Sequence, residues 1–137
     1  MGDSYTRLYV HLVWATWNRQ PFITEALEPS LYRPMIAKAK ELGCLVIAAG
    51  GYDEHIHLLL RIPTTLSIAS IVRAIKGASS FVVGHQGVFR WQTGYGAFTL
   101  RDTDVPIVKR YIERQKTHHQ KNSCNPEWET SHPPSDQ

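Results

Sequence analysis

Cysteine is scarce in this chain of 137 residues: Cys44 and Cys124 stand far apart and outside any Cys-x-x-Cys unit. That excludes a disulfide framework and a cysteine zinc site, and reads as reduced thiols in a cytoplasmic protein. No apolar run approaches the roughly 20 residues a membrane span needs. The opening Met1-Gly2-Asp3-Ser4-Tyr5 lacks the basic and apolar stretches of a secretory signal, so no export is expected. Internal repeats and low-complexity tracts are missing too, and the length suits a single core. Acid is the most telling scarcity. Residues 61–121 hold ten Lys/Arg against three Asp/Glu, a local +7, whereas residues 1–60 come to −1 and residues 122–137 to −3. Such a basic half suits a polyanionic partner, nucleic acid first; the plain alternative is a well-solvated surface.

What is present has a clear order. Tyr5 to Trp17 alternates and is rich in Val, Leu, Tyr and Trp, predicting a long strand. Pro29 and Pro34 delay a helix that runs to Leu42, with Leu31, Met35, Ala39 and Leu42 on one face and Gly43 as its stop. Leu45–Ala49 and His55–Ile62 read as a hairpin around a Gly50-Gly51-Tyr52-Asp53 turn. A second helix starts near Ser67 and buries Ile68, Ile71, Val72, Ile75 and Val82. After a Gly84–Gly87 break come Phe89-Arg90-Trp91, the Gly94-Tyr95-Gly96 bend and a strand from Ala97 to Leu100. Asp104 is placed to cap a third helix that ends near His118 or His119. Residues 120–137 read as a tail that is disordered or draped on a partner. The fold class is α+β. Strand, helix, hairpin, helix, strand is the ferredoxin-like, or RRM-like, order, here with an added C-terminal helix. An antiparallel sheet with its helices on one face leaves the other face free for a site.

Two motifs could share that face. In a strand, His55 and His57 point the same way and Ile56 the other. In a helix, Tyr111 and Gln115 lie one turn apart on one side. Two imidazoles and an amide oxygen can hold a divalent ion, and a phenol beside them can attack a bound electrophile. The plain alternatives are a hydrogen-bonded histidine pair and a tyrosine that packs with Val108 and Ile112.

His55-Ile56-His57-Leu58-Leu59-Leu60, Ile75-Lys76-Gly77-Ala78-Ser79-Ser80, Trp91-Gln92-x-Gly94-Tyr95-Gly96-Ala97-Phe98 and Tyr111-Ile112-x-x-Gln115 occur in this order. Together they resemble the single-tyrosine HUH transposases of the IS200/IS605 type, including the REP-associated branch, over roughly residues 5–119. The resemblance implies a DNA transposase that cuts and rejoins single-stranded, hairpin-bearing DNA through a 5′-phosphotyrosine. It implies a catalytic domain over 1–119 that ends in the tyrosine helix, followed by the 120–137 tail. It makes Tyr111 the nucleophile, and His55, His57 and Gln115 the ligands of a divalent metal, Mg²⁺ or Mn²⁺. It also implies a homodimer, with two arrangements open: Tyr111 of one subunit against His55 and His57 of the other, or each site within one chain.

Arg73, Lys76 and Arg90 are candidate phosphate contacts. Trp91 and Tyr95 are read either as base-stacking groups or as core. Asp53 and Glu54 are assigned to a polar turn rather than to support of the histidines, and His118 and His119 to a cationic helix end. Three further function classes stay open: a domesticated single-strand nuclease, a water-using metal hydrolase, and a non-catalytic RRM-like binder. Ile56, Leu58 and Leu60 are not the aromatic residues such a binder would stack on bases.

Overall fold

A computed structural model describes residues 4–84, 89–120 and 123–131; of residues 81–84 it describes the backbone alone. The expected Val82 packing, the break at 85–87 and the end of the tail lie outside the described residues. Four strands form one antiparallel sheet: β1 (Tyr9–Ala15), β2 (Leu45–Gly51), β3 (His55–Arg61) and β4 (Gly96–Leu100), in the order β2-β3-β1-β4. This is the ferredoxin-like arrangement expected from the element order. Among the described residues no helix is long and apolar enough to cross a membrane.

Alternation along the strands divides the sheet into two faces. Val10, Leu12, Trp14, Ile56, Leu58 and Leu60 turn to one side, beneath α1 (Glu28–Glu41) and α2 (Ile68–Gly84). Leu31, Met35, Ile71 and Ile75 close this core, each worth about 1.5–3 kcal/mol when fully buried. Trp91 belongs here as well. It is buried, its indole N–H donates to Ser79 Oγ at 2.9 Å, and its ring meets Trp14 edge-on. Ile56, Leu58 and Leu60 therefore face the helix layer, and their lack of aromatics says nothing about a nucleic-acid face.

The opposite face is not left bare. The segment expected as one helix is two, α3 (Val105–Glu113) and α4 (Gln115–Gln120), broken at Arg114 with φ −109° and ψ 24°. Val108 and Ile112 of α3 bury against Ala48 and Leu59. Gly50 permits that contact, because a Cβ there would strike the Ile112 carbonyl. Gly50 and Gly51 are paired strand residues, opposite His57 and Ile56, so the turn proper begins at Tyr52.

Three further boundaries differ from expectation. β1 spans Tyr9–Ala15 rather than Tyr5–Trp17, since pairing with β3 and β4 ends there. Pro34 lies inside α1 rather than before it. Asp104 stands at the start of α3 in an already helical conformation and makes no side-chain cap; its carboxylate pairs with Arg101 instead. Ser67, by contrast, caps α2 by accepting from the Ser70 N–H at 3.1 Å.

Candidate active site

β3 carries both histidines to the α3 side of the sheet, where they are 1% and 0% exposed. Each imidazole is held by Nδ1, leaving Nε2 turned toward a common centre. His55 Nδ1 meets Glu54 Oε1 at 2.5 Å, and the Arg19 guanidinium holds the other oxygen of Glu54 at 2.8 Å. Glu54 is thus a support for the histidine rather than a mere turn residue. Arg19 and its neighbour Asn18 adopt φ of 50° and 52°, a left-handed pair costing about 1–3 kcal/mol each for non-glycine residues. The Arg19–Glu54 ion pair helps to hold that conformation. His57 Nδ1 lies 2.8 Å from Nε2 of His11, which reaches it diagonally from β1. When His57 donates that proton to His11, its Nε2 lone pair is left for another partner.

Tyr111 approaches from α3. Its ring edge meets His57 at a centroid distance of 5.9 Å, and His118 stacks on it at 4.6 Å. Despite the break at Arg114, Gln115 stays beneath it: Gln115 Oε1 lies 3.0 Å from His55 Nε2, and its amide reaches back to the Tyr111 carbonyl. His119, one turn further, places Nε2 at 3.3 Å from His55 Nε2 and 3.2 Å from Gln115 Oε1. It is part of the cluster and not only a helix-end charge.

The tail supplies the centre. Residues 126–129 form a 3₁₀ turn, Trp128 packs against the α3 core, and the Thr130 carbonyl sits where a Cβ on Gly96 would be. In the described residues the tail is docked on the chain's own sheet. Glu129 Oε1 lies 2.9 Å from His55 Nε2 and 3.2 Å from His119 Nε2. Its Oε2 lies 3.1 Å from His57 Nε2 and accepts the Tyr111 hydroxyl proton. The Tyr111 oxygen in turn accepts the Asn125 N–H at 3.0 Å.

These neighbours shift the titrations strongly. Burial alone would lower the His55 pKa, but hydrogen bonds to Glu129 and Glu54 overcome it and lift it to about 9. Burial would raise the carboxylate of Glu54, yet His55 and Arg19 pull it down to about 2. Glu129 is likewise depressed against its burial by His55 and His57. Burial first, then the charge of His57, takes His11 down to about 3, and burial lowers His57 itself. Burial and the bond to Glu129 hold the Tyr111 phenol protonated. Without a metal, the protonated His55 ring donates one N–H from Nδ1 to Glu54 and the other from Nε2 to Glu129.

The donor set fits a divalent ion. Nitrogen and oxygen donors converge from three elements, and among the described residues the fully buried His57 Nε2 finds no aligned hydrogen-bond partner even beside Glu129. The three proposed phosphate contacts do not converge on this centre. Arg73 is exposed on α2, in the opposite layer. Lys76 donates to the Gln92 and Gly94 carbonyls at 2.9 and 2.7 Å, so its first duty is to hold that loop. Arg90 stacks on Trp17 at 4.2 Å.

Sequence reasoning missed His11, Arg19 and Glu129 and set aside Glu54 and His119. His11 was recoverable, because β1 alternation puts it opposite Leu12 and Trp14. His119 was recoverable from its four-residue spacing to Gln115. Glu129 lies in a segment without periodicity and left no local signal.

The chain is 28% identical over 124 residues to the ISDra2 transposase TnpA of Deinococcus radiodurans, covering 83% of this chain and 89% of that one. A crystal structure of a Deinococcus radiodurans R1 protein assigned as a transposase superposes with a TM-score of 0.67 at 25% identity, covering 84% of this chain and 95% of that one. A REP-associated tyrosine transposase bound to a REP hairpin shares the fold, with a TM-score of 0.66 at 16% identity over 90% of this chain and 74% of that one. The model of the IS200-like transposase family matches residues 4–115, the whole sheet together with Tyr111 and Gln115, and the chain belongs to that family.

Proposed function

We propose that this chain cuts and rejoins single-stranded DNA, hairpin-bearing in its natural form, with Tyr111 as the nucleophile. The observation that carries the reading is the meeting of the Tyr111 hydroxyl with the Nε2 atoms of His55 and His57 on one carboxylate, within one chain. In the forward step the Tyr111 oxygen bonds to phosphorus and its proton passes to Glu129 Oε2. The bond from phosphorus to the 3′ oxygen breaks, and that oxygen takes a proton from water to leave as a 3′-OH. The resulting 5′-phosphotyrosine conserves the ester, so a 3′-OH can reverse the step without an external energy source. A Mg²⁺ or Mn²⁺ ion held by His55, His57 and Gln115 would supply charge withdrawal from the phosphate oxygens. The same reading places the chain in the cytoplasm, as a homodimer that offers one nucleophile for each of two element ends.

The test is a denaturing gel after incubating the full chain with hairpin-bearing single-stranded DNA and Mn²⁺. Wild type leaves a covalent protein–DNA adduct that chelator prevents. Tyr111→Phe keeps its fold and loses the adduct entirely. Free ends without adduct would mean a water-using hydrolase, intact DNA would mean a binding protein, and adduct from the Phe variant would remove Tyr111 from the reaction.

A further inference from the structure

Two of the groups that crowd the His55 imidazole lie beyond Gln115, one on α4 and one in the tail. The distances among them follow a pattern. His55 Nε2 to Gln115 Oε1 is 3.0 Å, His55 to His119 3.3 Å, Gln115 to His119 3.2 Å, His55 to Glu129 Oε1 2.9 Å and His119 to Glu129 Oε1 3.2 Å. Adjacent ligands of an octahedral ion with bonds of about 2.1 Å stand about 3.0 Å apart. His55, His119 and Glu129 alone already offer three ligand atoms within 4.8 Å of one another. A second observation points to an occupant: His57 Nε2, fully buried and without an aligned partner among the described residues, faces the same carboxylate.

We propose that His119 and Glu129 are themselves ligands of the divalent ion, so that the C-terminal segment closes the metal centre as a clip. The inference rests on the metal reading above and adds two residues to it. Glu129 then divides its work, with Oε1 facing the ion and Oε2 the Tyr111 hydroxyl. The clip has its own seat. Arg19 reaches the Glu129 carbonyl and Ser131 Oγ at 3.4 Å each, Thr130 lies against Gly96, and Trp128 meets the Tyr111 ring at 4.9 Å. The working domain therefore extends at least to Ser131, past a boundary at 119.

The experiment titrates Mn²⁺ into the full chain by calorimetry and follows hydrogen exchange of residues 123–131 with and without the ion. His119→Ala and Glu129→Gln are each expected to weaken Mn²⁺ binding about 10-fold or more, and the ion is expected to slow exchange of the segment in wild type. Wild-type affinity in both variants, or faster exchange on adding Mn²⁺, overturns the proposal; the latter would mean a carboxylate that the ion expels. If either variant fails to fold, the exchange measurement on wild type decides. His57→Ala separates the two readings. Loss of binding there, with unchanged binding in the His119 and Glu129 variants, sinks only the clip. No Mn²⁺ binding by wild type sinks the metal reading beneath it.

Discussion

His55 shows how one residue sets the behaviour of the site. With its pKa raised from 6.5 to about 9, it stabilises the metal-free fold fully below pH 6.5, and that contribution is lost as pH rises through 9. Glu54 works in the other direction: its carboxylate, lowered from 4.5 to about 2, stabilises above pH 4.5 and ceases to as pH falls toward 2. Thermal denaturation of chelated protein should therefore show Tm falling between pH 6.5 and 9, and His55→Gln should remove most of that fall. A flat Tm across the window would contradict the imidazolium between two carboxylates.

At the scale of elements, the contact that matters most is α3 on β2. The helix can lie low only because Gly50 has no side chain under the Ile112 carbonyl. That height decides how far Tyr111 stands from β3. Gly50→Ala should cost about 1–3 kcal/mol of stability by overpacking and should lower cleavage more than it lowers DNA binding. Urea denaturation paired with a single-turnover gel checks both; unchanged stability with full cleavage would show that the helix can rise without consequence. The break at Arg114 belongs to the same scale. It splits the expected helix yet leaves Gln115 and His119 on the histidine side, since Arg114 N–H still reaches the Arg110 carbonyl and His118 N–H the Arg114 carbonyl.

Across the whole molecule, a single chain brings Tyr111 and the two histidines of its own sheet onto one carboxylate. Mixing Tyr111→Phe with His57→Ala under conditions of proven subunit exchange should give no restored cleavage. Recovery would require α3 to leave the sheet on which Val108 and Ile112 are buried. The basic excess is also placed. Lys109, Arg110 and Arg114 are exposed on the tyrosine helix and at its break. With about four phosphates neutralised, a fourfold rise in salt should weaken single-strand binding roughly 50-fold. Fluorescence anisotropy across a salt series measures this, and equal affinity for a plain duplex at one salt concentration would count against a single-strand groove.

Local pattern determined the strands, the core-facing helices, the pairing of His55 with His57 and the nearness of Tyr111 to Gln115. Each depends on spacings of two or four residues, which the backbone turns directly into shared faces. Tertiary structure alone decided the rest. His11 joins His57 only because β1 pairs with β3 in one register, Gly50 matters only because a helix crosses it, and Lys76 is drawn into a loop that the linear order leaves open. Glu129 is the clearest case. It lies 72 residues beyond His57 in an acidic segment with no periodicity, and its role follows from where Arg19, Gly96 and Trp128 seat the chain. Contacts between residues so far apart are specified by the complementarity of surfaces that exist only after folding, and no local spacing encodes them.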